Sequence, residues 1–179
     1  MKTYLENRKW SDQYIPEMRR ILSKYFWCKE SEIHEDIERD LMENTDLILP
    51  NGQTVACRVR KNEYLYSYRY QFTFRYSNPF GCKTEFEKML DGYGDWLFYS
   101  FAENNTNKLS AGFIGNLDAF RLWYFDVRPR SKPLEFKQNE GDNNGFVIFR
   151  YTEVPNFIYI LKQEQKEIEV FPKIKLNNI

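Results

Sequence analysis

One acidic and two basic side chains bracket a short segment that has the composition of a β-hairpin. Residues 46–60 read DLILPNGQTVACRVR, so Asp46 opens one apolar run, and Arg58 and Arg60 close the next. Carboxylates hold divalent cations, and guanidinium groups bind phosphate through paired hydrogen bonds. Metal-dependent cleavage of a phosphodiester uses both kinds of group. Asp46, Arg58 and Arg60 are therefore the candidate catalytic residues of this sequence.

The distribution of charge along the chain suggests the same chemistry. The formal net charge is zero, with 26 basic and 26 acidic residues. Residues 30–46 nevertheless contain eight acidic residues and one basic residue, whereas residues 51–90 contain seven basic and three acidic residues. An acidic segment followed by a basic one fits a metal site beside a phosphate-binding surface. It fits equally a protein that balances its own surface charges.

The spacing of apolar residues predicts two helices before the hairpin. Ser11-Asp12 is a suitable N-cap for a helix that ends near Tyr25, with Pro16 in its first turn. A second helix is predicted over residues 31–42, where apolar residues recur every four positions. Its other faces are acidic, so we expect one face to pack against the core and the others to face water.

Three strands are predicted next, and they would bring basic side chains to one surface. Asn51-Gly52 predicts a tight turn between strands 46–49 and 54–60. Alternation over residues 68–76 predicts a third strand, expected beside the hairpin in antiparallel order. Alternate residues share a face of a strand. The predicted nucleic-acid-binding residues are Arg58, Arg60, Arg69 and Arg75. The residues predicted to face the helices are Val55, Cys57, Val59, Phe72 and Phe74.

The rest of the chain completes an α+β pattern. The further predictions are a helix over 81–90 begun by a capping box at residues 84–87, a strand over 95–101, a strand or short helix over 113–126, a surface loop over 129–145, a strand over 146–151 and a helix from residue 154. We expect a single domain spanning residues 1–179, with residues 162–179 as a peripheral C-terminal helix or tail. The expected fold class is α+β, a central mixed β-sheet flanked by helices.

Composition argues against several classes of protein. Three cysteines and one histidine, with no paired spacing, do not form a disulfide framework or a zinc site, so each Cys is expected to be a small buried hydrophobe. No apolar run reaches the roughly 18 residues that span a bilayer, and the first residues are charged. We therefore expect a cytoplasmic protein without a membrane partner.

The order acidic helix, hairpin, strand, helix and strand resembles the PD-(D/E)XK superfamily, the restriction-endonuclease-like nucleases, over about residues 30–102. In that family a helical carboxylate and an Asp at the start of the second strand bind magnesium. The third strand supplies an acidic residue and, two positions later, a Lys. The resemblance implies a restriction-endonuclease-like core and a Mg²⁺ site. Asp46 would be the strand ligand, and Asp36, Asp40 or Glu35 the helical one.

The sequence departs from the family at the third strand. The positions of the acidic residue and the Lys hold either Ala56 with Arg58 or Arg58 with Arg60. Arg cannot act as a general base, because its pKa exceeds about 12. Three interpretations stay open: an inactive site that keeps a phosphate-binding surface, an accidental resemblance, or a replacement carboxylate from elsewhere in the chain. The candidates for that carboxylate are Glu85, Glu87 and Asp95.

Two classes of function follow. The first is a nucleic-acid-binding or nucleic-acid-processing protein of nuclease-like fold, weakly active or inactive as a Mg²⁺-dependent nuclease. The second is a small intracellular protein that binds another protein, such as a phage or mobile element encodes, without catalytic activity. Arg and aromatic residues are enriched at protein interfaces as well as at nucleic-acid interfaces. Asp46 also has an ordinary alternative role, because Asp commonly closes loops by bonding to backbone amides.

Overall fold

The computed structural model of the protein describes residues 9–36, 43, 45–77, 82–130, 132–138 and 144–162. Residues 9–12 are helical, and the helices that follow are α1 (Ile15–Tyr25), α2 (Leu65–Tyr68), α3 (Glu85–Leu90) and α4 (Leu117–Leu122), which continues as a π-helical turn over Trp123–Val127. The strands are β1 (Leu47–Ile48), β2 (Thr54–Arg60), β3 (Gln71–Arg75), β4 (Trp96–Ala102), β5 (Leu109–Asn116), β6 (Glu135–Gln138), β7 (Gly145–Arg150) and β8 (Ile158–Lys162).

Five of these strands form a large mixed sheet with the order β1-β2-β4-β5-β8. β2 and β4 run parallel, and the other neighbouring pairs are antiparallel. A parallel pair requires a crossover connection, and here the chain that contains α2, β3 and α3 provides it. The protein is therefore of the α+β class with a mixed central sheet flanked by helices, as the sequence predicted. Among the described residues, no helix is long and apolar enough to cross a bilayer.

The large sheet separates two hydrophobic cores. On one face, α1 packs Met18 and Leu22 against Val55 of β2, and all three are almost fully buried. On the other face, the large sheet meets the remaining strands and helices through a cluster of aromatic rings. Phe72 lies at its centre, with its ring centroid 4.6 Å from that of Phe157. Truncating a buried Phe of this kind costs about 3–5 kcal/mol, so this second core is a major source of stability.

β3 does not join the large sheet, so the prediction of three adjacent antiparallel strands is wrong. β3 pairs with β7, which pairs with β6, in a separate small sheet, and Phe72 lies opposite Phe149. The neighbour of β2 is instead β4. Alternation of apolar residues determines which face of a strand is buried, but it does not specify the partner strand. β3 is also shorter than predicted, because residues 65–68 form α2.

The acidic helix predicted over residues 31–42 is wrong in the part that the structure describes. Glu30–Glu32 form a single 3₁₀ turn, and the next residues are extended. The His34 N–H donates to the Ile48 carbonyl at 3.0 Å, and the Ile48 N–H donates back at 2.8 Å. Pairing with the outer edge of β1 thus outweighs the helical periodicity. The remainder of the predicted helix, residues 37–42, lies outside the described residues.

Two predictions for the C-terminal third are also wrong. The surface loop predicted over residues 129–145 contains β6, which pairs with β7. In place of the helix predicted from residue 154, the described residues contain β8, which pairs with β5. Residues 163–179, most of the predicted C-terminal tail, lie outside the described residues.

The N-cap predicted at Ser11-Asp12 is wrong, because residues 9–12 are helical and α1 follows Tyr14. Two other local signals were interpreted correctly. Gly52 has φ +84° in the turn between β1 and β2, a conformation that glycine adopts without steric cost. Thr84 caps α3, with its hydroxyl accepting the Glu87 N–H and the Glu87 carboxylate accepting the Thr84 N–H. Each cysteine was expected to be buried, but Cys28 and Cys57 are only half-buried beside the core under α1, and Cys82 is exposed.

Candidate basic site on the small sheet

Arg58 and Arg60 point away from α1 and towards the small sheet. Val55 belongs to the core under α1, and Ala56 belongs to the core on the opposite face. Arg58 and Arg60 share the Ala56 face because they lie two and four residues further along β2. The predicted face of both arginines is therefore confirmed, although a second sheet and not bulk water covers it.

The outer face of the small sheet receives both arginines. Phe72 and Phe74 fill the inner core, so Thr73 lies on the other face. Arg60 Nη2 donates to the Thr73 hydroxyl at 2.6 Å, and Arg58 Nη1 lies 3.4 Å from the same oxygen. The Arg58 guanidinium also lies 5.5 Å from the centre of the Phe146 ring. The contacts with Thr73 and Phe146 thus determine the positions of the two guanidinium groups.

Glu85 neutralises one of the two arginines. Its carboxylate forms an ion pair with Arg58, and the two side chains are only 11% and 18% exposed. The same carboxylate oxygen accepts the Arg75 N–H at 3.0 Å, on the strand edge that β7 does not occupy. Glu85 is therefore fixed by two donors from different elements. The expectation that it replaces a missing metal ligand does not agree with this use of its carboxylate.

A lysine from β6 completes the site. Lys137 lies opposite Phe146 in the small sheet, and its ammonium donates to the Tyr68 hydroxyl at 2.9 Å. This hydrogen bond lowers the pKa of Tyr68, and the charges of Lys137 and, more weakly, of Arg60 lower it further. Arg58 and Arg60 from β2 and Lys137 from β6 are here called the basic cluster. The two arginines contact the face of the small sheet that carries Thr73 and Phe146, and Lys137 lies on that face and bonds to Tyr68.

Exposed tyrosines lie beside the basic cluster. The segment 64–70, here called the tyrosine segment, connects β2 to β3 and contains α2. Tyr64, Tyr66 and Tyr70 are 39%, 79% and 46% exposed. Arg69, a predicted nucleic-acid-binding residue, lies over the Tyr70 ring at 4.5 Å. The segment consists of the end of a 3₁₀ turn, α2 and the turn before β3, so residues 68–70 do not belong to the strand predicted over residues 68–76.

The residues predicted to bind a metal ion are not grouped as a metal site in the described part of the chain. Asp46 lies at the start of β1, and its Oδ2 accepts the Cys57 N–H at 2.6 Å. Asp36 follows the bridge between His34 and Ile48, whereas Asp40 lies outside the described residues. Among the described residues, no group of three or more His, Cys, Asp or Glu side chains is arranged to hold a metal ion.

The two other candidate carboxylates are bonded within the fold. Asp95 Oδ2 accepts both the N–H and the hydroxyl of Thr54, at 2.7 and 2.8 Å. Glu87 belongs to the capping box of α3, and hydrogen bonds from the Thr84 N–H and hydroxyl lower its pKa. Both carboxylates therefore stabilise element ends.

No family model matches this chain, and neither a curated protein nor a solved structure matches it.

Sequence reasoning missed Lys137. It lies in a four-residue strand where a loop was expected, and nothing in its neighbourhood marks it. The alternation over residues 68–76 did place Thr73 on one surface with Arg58 and Arg60. The pairing of β6 with β7 is what brings Lys137 to the arginines, and pairing between distant segments is not a local property of the sequence.

Proposed function

We propose that the protein binds nucleic acid through the basic cluster and the tyrosine segment. The observation that carries the proposal is the presence of three cations from two strands beside exposed tyrosines, and Glu85 pairs with one of these cations, Arg58. Guanidinium and ammonium groups bind phosphate oxygens, and tyrosine rings stack on unpaired bases. The expected ligand is therefore a single-stranded region of DNA or RNA.

The nuclease-like core is the finer part of the proposal. An antiparallel hairpin, a parallel strand that neighbours it, and a helix in the connection between them support a restriction-endonuclease-like arrangement. The position of β3 in a separate sheet is evidence against this arrangement. Because Asp46 and Asp95 bond to backbone amides, we expect weak or no Mg²⁺-dependent cleavage, and binding is the activity proposed.

Binding can be tested with a fluorescent single strand of about 20 nucleotides, longer than one short binding site. We expect Arg60→Gln to weaken binding about 5- to 10-fold and to reduce the slope of log K against log salt by about 0.7, the value for one phosphate contact in a single strand. Lys108→Gln is the matched control, because Lys108 is an exposed cation on the loop between β4 and β5. Equal affinity for wild type, Arg60→Gln and Lys108→Gln would place any binding elsewhere.

One observation favours the second function, binding of a protein partner. Trp27 is 93% exposed and has φ +54°, a conformation that is costly for a bulky side chain. Strained residues concentrate at functional sites, and Trp is enriched where proteins bind each other. If this function is the correct one, Trp27→Ala will abolish capture of a partner while Arg60→Gln leaves it unchanged.

A further inference from the structure

β6 leaves one edge of the small sheet open. The sheet has the order β3-β7-β6, so in the described part of the chain β6 has a neighbouring strand on one side only. All residues of β6, Glu135–Gln138, are exposed. An open strand edge offers backbone N–H and C=O groups with which another strand can pair. The kind of strand that fits depends on which residues direct these groups outwards.

The backbone of Phe136 faces the open edge. In an antiparallel pair, alternate residues direct both backbone groups towards the same neighbour. The Tyr76 N–H donates to the Gly145 carbonyl, so Gly145 and every second residue after it in β7 bond to β3. The residues between them therefore bond to β6, where their partners are Glu135 and Lys137. The N–H and C=O groups of Phe136 consequently point away from β7.

The side chains of β6 are complementary to a second copy of the same strand. Glu135 and Lys137 share one face of the strand, and Phe136, which is 51% exposed, lies on the other. If two β6 strands pair antiparallel with Phe136 opposite Phe136, each Glu135 lies opposite the Lys137 of the second copy. The two Phe136 residues then exchange both of their backbone hydrogen bonds. One pattern of three residues thus supplies two ion pairs and an apolar contact.

The lysine does not oppose this pairing. A lysine on an edge strand commonly discourages another strand from adding to the sheet. In the register centred on Phe136, however, Lys137 meets a carboxylate and not another cation. Its ammonium has three donors, of which the Tyr68 hydroxyl accepts one, so donors remain for Glu135 of the second copy.

We propose that β6 pairs with β6 of a second copy of this chain about a two-fold axis at Phe136, which joins two small sheets into one sheet of six strands. The inference goes beyond the proposed function and does not depend on it, because it concerns a strand edge and not the binding of phosphate. The two basic clusters of the dimer lie on the same face of the joined sheet. An interface confined to one short strand of each copy is small, so the dimer dissociates on dilution.

Analytical ultracentrifugation of the full chain over a range of concentrations tests the association. We expect wild type to form dimers as its concentration rises. Glu135→Lys and Lys137→Glu each place two pairs of like charges across the axis, so each should raise the dissociation constant of the dimer about 10-fold. Lys108→Glu is the matched control, because it makes the same change of charge on an exposed loop and should dimerise as wild type does.

Mixing the two charge-reversed variants tests the register itself. A mixed dimer of Glu135→Lys with Lys137→Glu again has opposite charges in both cross-strand pairs, so the mixture should associate at least as tightly as wild type. A mixture of Glu135→Lys with Lys108→Glu has the same net charges but keeps one pair of like charges at β6. It should therefore gain less, which separates pairing at β6 from a general attraction between oppositely charged chains.

Three results would overturn the inference. Wild type that stays monomeric at every concentration excludes the dimer, and nucleic-acid binding by that monomer would leave the proposed function in place. A dimer that survives both charge reversals places the contact elsewhere. A mixture of the two reversed variants that associates no better than the Lys108→Glu mixture excludes the register. Circular dichroism of each variant establishes that the fold is retained.

Discussion

The two ends of β2 use charged side chains in opposite ways. At the start of the strand, Asp95 and Asp46 accept hydrogen bonds from the backbone of Thr54 and Cys57. At its end, Arg58 and Arg60 bond to side chains of other elements. A carboxylate that satisfies a strand amide is needed by the fold itself, because an unpaired buried N–H is costly. A guanidinium held by a hydroxyl keeps further donors for a ligand. Carboxylates therefore stabilise the start of β2, whereas at its end Arg58 is paired with Glu85 and Arg60 keeps donors for a ligand.

The largest expected effect is on stability at the start of β2. Asp95→Ala removes the oxygen that accepts both hydrogen bonds from Thr54, so we expect the free energy of unfolding to fall by about 3 kcal/mol. Asp95→Asn retains a carbonyl acceptor and should cost about half as much. Urea denaturation measures both. The control is Asp118→Ala, whose exposed carboxylate pairs with Arg121 and should contribute less than about 1 kcal/mol. Equal stability of Asp95→Ala and Asp118→Ala would contradict a structural role for Asp95.

Asp46→Asn tests whether the carboxylates at the start of β2 have a structural role alone. Asn keeps an oxygen that can accept the Cys57 N–H, so Asp46→Asn should fold and lose only about 1 kcal/mol. We expect little or no Mg²⁺-dependent cleavage of single- or double-stranded DNA and RNA by wild type, and no change in the variant. Robust cleavage that is lost in Asp46→Asn would show that both ends of β2 belong to one catalytic site.

Local features of the fold could be predicted from the sequence, whereas the pairing of distant strands could not. The turn at Gly52 and the cap at Thr84 follow from a few neighbouring residues, and both were predicted correctly. The alternation in β2 placed Arg58 and Arg60 on one face. Alternation also placed Thr73 on their surface, but as part of the same sheet, whereas β3 pairs with a strand more than 70 residues away and forms a second sheet. Long-range pairing depends on the packing of the whole sheet and is not encoded in a local pattern.

Glu85 determines how many cations at the end of β2 are available to a ligand. Glu85→Gln keeps an acceptor for the Arg75 N–H and removes the charge that neutralises Arg58. We therefore expect nucleic-acid affinity to rise about 3-fold and the salt dependence to steepen, because a third cation becomes available to phosphate. Fluorescence anisotropy over a range of salt concentrations measures both quantities. Glu63→Gln is the control, since Glu63 pairs with Lys61 in an exposed position. Weaker binding in Glu85→Gln would indicate that Glu85 positions Arg58 for the ligand.

The smallest effect concerns the ionisation of Tyr68. The ammonium of Lys137 stabilises the phenolate, so the pKa of Tyr68 is lowered, and Lys137→Gln should raise it. Tyr68 should therefore lose its proton at a lower pH in wild type than in the variant. The corresponding contribution to stability is present in alkaline solution, above the pKa of the unfolded state, and is lost as the pH falls through the folded-state pKa. Carbon NMR of the tyrosine rings, with Tyr68→Phe to assign the signal, measures the titration.

Added inorganic phosphate should raise the pKa of Tyr68 in wild type, because an anion bound to Arg60 and Lys137 cancels the charge that favours the phenolate. A titration unaffected by both Lys137→Gln and phosphate would mean that the cations at this end of β2 act independently of Tyr68.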